Sequence, residues 1–166
     1  GVLIHDANDL LKPGSKKLMS QLQTLKHEGK IMKLGVSIYD HNQLYCILEN
    51  FDIDLVQLPF NIIDKRLIES GIFAKLKKKG IEVHARSVFL QGLLLINEKE
   101  RSNKFKRWAE LWKIWHEWLN DNQLTALEAS IRYAVSFSEI SKVLVGVHSK
   151  DQLKQIISAS DGILPN

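Results

Sequence analysis

Two rhythms of apolar residues alternate along the chain. The first is a set of short continuous runs, Val2-Leu3-Ile4, Ile31 to Ser37, Leu55 to Leu58, Ile81 to Ala85 and Val143 to Val147. Runs of this length, rich in Val, Ile and Leu, predict strands buried on both faces of a parallel sheet. The second rhythm, with apolar residues three and four apart, fills the stretches between them and predicts amphipathic helices. Ser15 is placed to cap a helix that keeps Leu18, Met19, Leu22 and Leu25 on one face, and Gly29 ends it. Asp40 with Gln43, Thr125 with Glu128, and Ser149 with Gln152 are spaced like capping boxes before the next apolar stripes. Arg66 to Lys79 predicts one helix with Leu67, Ile68, Ile72, Phe73 and Leu76 inward; its basic end suits the helix dipole. Lys104 to Leu119 predicts a Trp-rich helix whose stripe of Trp108, Trp112, Trp115 and Trp118 packs against the fold.

The resulting order is β, α, β, α, β, α, β, α, α, β, α. Strands alternating with helices predict a parallel sheet joined by helical crossovers. The expectation is an α/β fold of the (β/α)8 TIM-barrel type, in one domain over residues 1–166. About five β/α units are visible where a full barrel has eight, so the barrel is partial. No GxGxxG follows the first run, which argues against a dinucleotide-binding open sheet. A partial barrel leaves two strand edges bare, near Val2 and near Val143. Bare edges pair with other chains, so self-association or completion by a missing N-terminal barrel segment is expected.

Composition narrows the function classes. Hydrophobic residues make up 45% of the chain, enough for a substantial core, and the net charge is only +4. Lys and Arg are dispersed among the helices, so nucleic acid is not an expected partner. No apolar run approaches the roughly 18 residues of a membrane span, and no signal-peptide pattern is visible. The single cysteine, Cys46, excludes an internal disulfide and fits a reducing, cytoplasmic setting. The six His show no metal-ligand spacing, so no metal is expected. Gly1 stands directly inside a strand-like run, which reads as a fragment of a longer chain.

Polar residues at the ends of these runs carry the chemistry. In parallel sheets ligands gather at the carboxyl ends of strands. His5 follows the first run, Ser37 ends the second, Gln57 lies in the third, and Arg86 and Ser87 follow the fourth. A hydroxyl and an amide together supply a donor and an acceptor. Gly92 closes a loop in which backbone N–H groups approach an anion. Ser149 opens a helix, where free N–H groups favour anions, although an ordinary cap reads the same way.

The sequence resembles the aldo/keto reductase family. The matching pieces, in family order, are Leu3-Ile4-His5, Leu25 to Ile31, Leu34-Gly35-Val36-Ser37, Val56 to Asn61, Ser87 to Leu94 and Val145 to Leu153. The resemblance implies a (β/α)8 barrel in which an aldehyde or ketone is reduced by hydride transfer from NADPH or, less often, NADH. Of the family's Asp, Tyr, Lys and His catalytic set, only the His has a counterpart, His5; the other three belong to strands that would precede Gly1. His5 is expected to orient a substrate carbonyl oxygen. The resemblance further implies a carboxamide grip by Ser37 and Gln57, and a pyrophosphate cradle of Ser87, Phe89, Gln91 and Gly92. It also implies a phosphate and adenosine site of Gly146, His148, Ser149 and Gln152.

Three departures from the family pattern stand out. Ile38 replaces the Asn that often follows the Ser. Arg86 replaces an aromatic that stacks on nicotinamide; its guanidinium can stack too, or can pair with a nearby acid. Gln155-Ile156 replaces a Glu-Asn pair at the adenine, and only His148 and Lys150 stand near a 2′-phosphate. NADP(H) is favoured by family habit, with NAD(H) the other option. The expected partner is a small carbonyl or alcohol substrate. The competing expectation is a non-catalytic truncated half-barrel that serves as a binding or assembly module.

Overall fold

The computed structural model describes residues 1–165. Five parallel strands form one sheet in sequence order: β1 (Val2–Ile4), β2 (Leu34–Ser37), β3 (Leu55–Pro59), β4 (Glu82–Arg86) and β5 (Lys142–Val143). Helices fill the crossovers: α1 (Ser15–His27), α2 (His41–Asn50), α3 (Arg66–Glu69), α4 (Ile72–Lys78), α5 (Ala109–Asp121), α6 (Ala126–Val135) and α7 (Lys150–Ser160). Within the sheet, β1 and β5 each have a strand on one side only. Among the described residues no helix is long and apolar enough to cross a membrane.

Side chains alternate along a strand, so each strand offers one set to each face. Val36, Val56, Leu58, Val83 and Ala85 point into the main core, where Met19, Leu44, Ile47, Ile72, Leu76 and Ala134 from the helices meet them. Phe60 centres an aromatic group, 4.9 Å from Phe137, 5.3 Å from Tyr133 and 5.7 Å from Phe73 between ring centroids. The opposite face carries Gly35, Ser37, Gln57, His84 and Arg86.

Local signals set the helix ends, with some substitutions. After α1, Gly29 takes a left-handed φ of 72° and the Lys30 N–H reaches the Leu25 carbonyl at 2.9 Å, closing the last turn. The first cap is Gly14, with Ser15 already inside the helix and making no cap bond. Thr125 and Glu128 form the reciprocal box. Asp40 instead accepts the Asn42 N–H at 2.6 Å, one residue short of the box geometry.

The expected helix over 66–79 is two helices, because Ser70 accepts the Ile72 N–H and Gly71 adopts a φ of 69° between them. The Trp-rich segment begins as a 3-10 turn, Asn103–Trp108, before α5. Trp112 and Trp115 are buried, but Trp108 lies outside with the Arg107 guanidinium 3.8 Å from its ring. The fifth strand is shorter than its apolar run. Pairing extends only through the Leu144 N–H to the Ala85 carbonyl, 2.8 Å, and leaves Val145 to Val147 free of the ladder.

Candidate functional site

The parallel register assembles a polar row across the sheet. Ser37 lies opposite Gln57, Gln57 opposite His84, and His84 opposite Lys142. Paired residues in register share a face, so these side chains stand side by side on the surface away from the helices. His5 extends the row: Ile4 pairs Val36, so the next residue lies level with Ser37. Ser37 is buried, Gln57 and His84 are half-buried, and His5 is exposed. Below the row, the Glu82 carboxylate takes the Lys33 ammonium, the His84 ring at 2.6 Å and Lys142 at 3.6 Å. The hydrogen bonds from Lys33 and then His84 hold its pKa down at about 2, against the cost of burial.

Arg86 ends β4 on the same face, two residues beyond His84. Its guanidinium crosses the tip of β3 and donates to the Ile38 carbonyl at 2.9 Å and to the Ser87 hydroxyl at 3.4 Å. The Tyr39 ring lies 4.2 Å below its central carbon. Among the described residues no carboxylate pairs with it, so the nearby-acid option does not apply. Asp40, next to Tyr39 in the chain, instead accepts the Asn42 N–H in the first turn of α2. Tyr39 was not expected at this site. The alternation Ser37, Tyr39 past the end of β2 was the signal for it.

The segment after Arg86 is bent by left-handed backbone. Ser87 has φ 58°, Leu90 47°, Gln91 57° and Gly92 84°. Only glycine adopts this conformation without cost, and each of the other three stores about 1 kcal/mol or more. Packing sustains the bend: Val88 and Leu94 are buried on either side, and Trp115 Nε1 donates to the Leu94 carbonyl at 3.4 Å. Tight turns of this kind can turn backbone N–H groups toward one side, a shape suited to anions.

Across from this segment lies the start of α7. The Ser149 hydroxyl accepts the Gln152 N–H at 3.1 Å, and the Gln152 side-chain oxygen accepts the His148 N–H at 2.8 Å. Both side chains therefore serve as helix caps. A cleft of about 760 Å³ opens between the two segments. Of the residues singled out from the sequence, Arg86, Ser87, Phe89, Gln91, Gly92, Gly146, His148 and Gln152 line it, together with Gln155 and Ile156. His5, Ser37, Gln57 and Ser149 do not. The first three belong to the polar row, and Ser149 is turned to the first N–H groups of α7 as its cap. Among the described residues, no Asp or Glu lines the cleft. A walled space with a fixed cation, amide side chains and backbone donors, and without carboxylates, suits an elongated polyanion.

Comparison with known proteins bears on the fold and the family. A reductase of Escherichia coli (strain K12), named NADH-specific methylglyoxal reductase, is 26% identical over 152 residues, covering 83% of this chain and 46% of its own length. The aldo-keto reductase AKR11C1 from Bacillus halodurans superimposes with a TM-score of 0.78 in its holo form, at 21% identity, over 99% of this chain and 56% of that one. The glycerol dehydrogenase AKR11B4 from Gluconobacter oxydans gives 0.60 at 18% identity, over 99% and 60%. At these identities the structures speak to the fold, and the five strands correspond to about half of the reductase barrel. The chain likewise spans about half the length of the curated relative. The family match itself runs from residue 2 to residue 165, and the chain belongs to the aldo/keto reductase family.

Proposed function

We propose that this chain supplies the cofactor-binding half of an NAD(P)H-dependent reductase of aldehydes or ketones, as a single domain over residues 1–166. The observation that carries this reading is the carboxylate-free cleft, which runs from Arg86 to His148 beside the polar row of Ser37 and Gln57. When bound, the dihydronicotinamide supplies the hydride. Ser37 and Gln57 would hold its carboxamide, one through a hydroxyl and the other through an amide. Backbone donors of 87–92 and the start of α7 would take the phosphates, with Gly92 letting the chain approach closely. Gln155 and Ile156 would bound the adenine. His5, exposed at the end of β1 and level with Ser37, would donate a ring N–H to the substrate carbonyl oxygen and fix its orientation.

Family habit favours NADP(H), and Lys150 and His148 are the cationic or titratable groups near the cleft's outer end. The Escherichia coli relative is named for NADH, so both cofactors enter the test. Fluorescence titration of the folded protein with NADPH and with NADH measures each affinity. Saturable binding of NADPH, weaker for NADH and reduced at least tenfold by Gln57→Ala, is the expected result. Absence of binding by a folded sample would favour the second reading, a non-catalytic half-barrel that binds or assembles. That alternative draws on one observation, the open edges of β1 and β5.

A further inference from the structure

We infer that Arg86 makes this cleft discriminate between the two redox states of its cofactor, holding the reduced nicotinamide more tightly than the oxidised one. The inference rests on the dinucleotide reading above and assigns a role to a residue that reading leaves open.

The geometry fixes where the charge sits. Ser37 and Gln57 are opposite one another, and Arg86 reaches from β4 over the tip of β3 to the carbonyl of the residue after Ser37. A ring held by its carboxamide between Ser37 and Gln57 therefore lies within a few ångströms of the guanidinium. The guanidinium is also immobilised. Ile38, Ser87 and the Tyr39 ring hold it from three directions, at 2.9, 3.4 and 4.2 Å.

All three partners are neutral. They orient the cation without cancelling it, and among the described residues no carboxylate lines the cleft to do so. The oxidised nicotinamide ring carries a positive charge and the reduced ring carries none, so only the oxidised form is repelled. Two unit charges roughly 6 Å apart in a partly screened site repel strongly enough to weaken binding by about tenfold to a hundredfold. The phosphates are common to both forms, so any attraction between them and Arg86 cancels from the ratio.

The experiment measures dissociation constants for the reduced and oxidised forms of whichever cofactor binds, with the native protein, Arg86→Met and Arg86→Lys. Thermal unfolding confirms that each sample is folded. The native protein is expected to bind the reduced form at least tenfold more tightly. Arg86→Met should narrow that ratio by tenfold or more, chiefly through a gain for the oxidised form. Arg86→Lys, which keeps the charge, should preserve most of the ratio even if both affinities fall. Equal losses for both forms in Arg86→Met would overturn the inference, because they mark a residue that grips only the phosphates. An unchanged ratio would also overturn it. Failure of the folded native protein to bind either form would overturn the dinucleotide reading, and this inference with it.

Discussion

The Asp54 carboxylate accepts the backbone N–H of Leu34 at 2.9 Å, pinning the start of β2 to the residue before β3. The same carboxylate takes the Lys26 ammonium from the end of α1 at 2.6 Å. Burial raises the Asp54 pKa, but the Leu34 N–H and the Lys26 contact outweigh it, and the net direction is down. One side chain thus joins a helix end to two strand starts. Asp54→Ala is expected to destabilise the fold by about 1–3 kcal/mol, since it orphans the Leu34 donor. Asp54→Asn keeps an acceptor for Leu34 and should cost less. Denaturant unfolding of the two variants distinguishes them, and equal losses would refute the role of the Leu34 bond.

Glu82 makes stability depend on pH in a defined window. Its ordinary pKa is 4.5 and its folded value about 2, so the folded state binds fewer protons between them. Its contribution is fully present above about pH 4.5 and disappears as the pH falls toward 2. The shift corresponds to roughly 3 kcal/mol at most, less whatever solvent screening removes. Glu82→Gln should flatten the slope of unfolding free energy against pH in that interval. An identical slope in the variant would contradict the network of Lys33, His84 and Lys142.

Gly35 on β2 lies opposite Leu55 on β3. A Cβ built there would meet the Leu55 carbonyl oxygen at 2.3 Å and the Leu55 Cγ at 2.9 Å. Gly35→Ala must therefore move backbone, and overpacking of this kind costs about 1–3 kcal/mol. Ser37 and Gln57 pair two residues further along, so the same displacement should loosen the polar row and, on the proposed function, weaken cofactor binding. An alanine variant with native unfolding midpoint and native affinity would show that the strands have room.

Among the described residues, Thr125 is the one cap in which both halves of the box form. Its hydroxyl accepts the Glu128 N–H at 3.2 Å, and Glu128 returns a carboxylate to the Thr125 N–H at 2.9 Å. Thr125→Ala should cost about 1 kcal/mol, and Thr125→Ser should recover most of it. The midpoint of thermal unfolding reads both.

Much of this architecture is written in stretches of a few residues. The strands, their parallel sense, the order of the elements and the closing glycine at 29 follow from periodicity and backbone freedom, which a local segment expresses by itself. The breaks are also local, though quieter: Ser70-Gly71 divides α3 from α4 within an uninterrupted apolar stripe. Spacing alone misplaced the cap at Ser15, and it found the cap at Asp40 but not its partner, the Asn42 N–H, because cap geometry depends on backbone angles that the residue type does not dictate.

The site is a different matter. Ser37 and Gln57 could be picked out as polar strand residues, but their pairing depends on the register between β2 and β3. Arg86 reaches a carbonyl 48 residues away, and its aromatic neighbour, Tyr39, lies on another strand's extension. Sequence patterns encode which face a side chain belongs to. Only the packed sheet decides which faces meet, because register and crossing side chains are fixed by contacts between segments that no local rhythm connects. The family likeness supplied the residues to watch, and the tertiary structure divided them into a polar row and a separate cleft, with Arg86 reaching between the two.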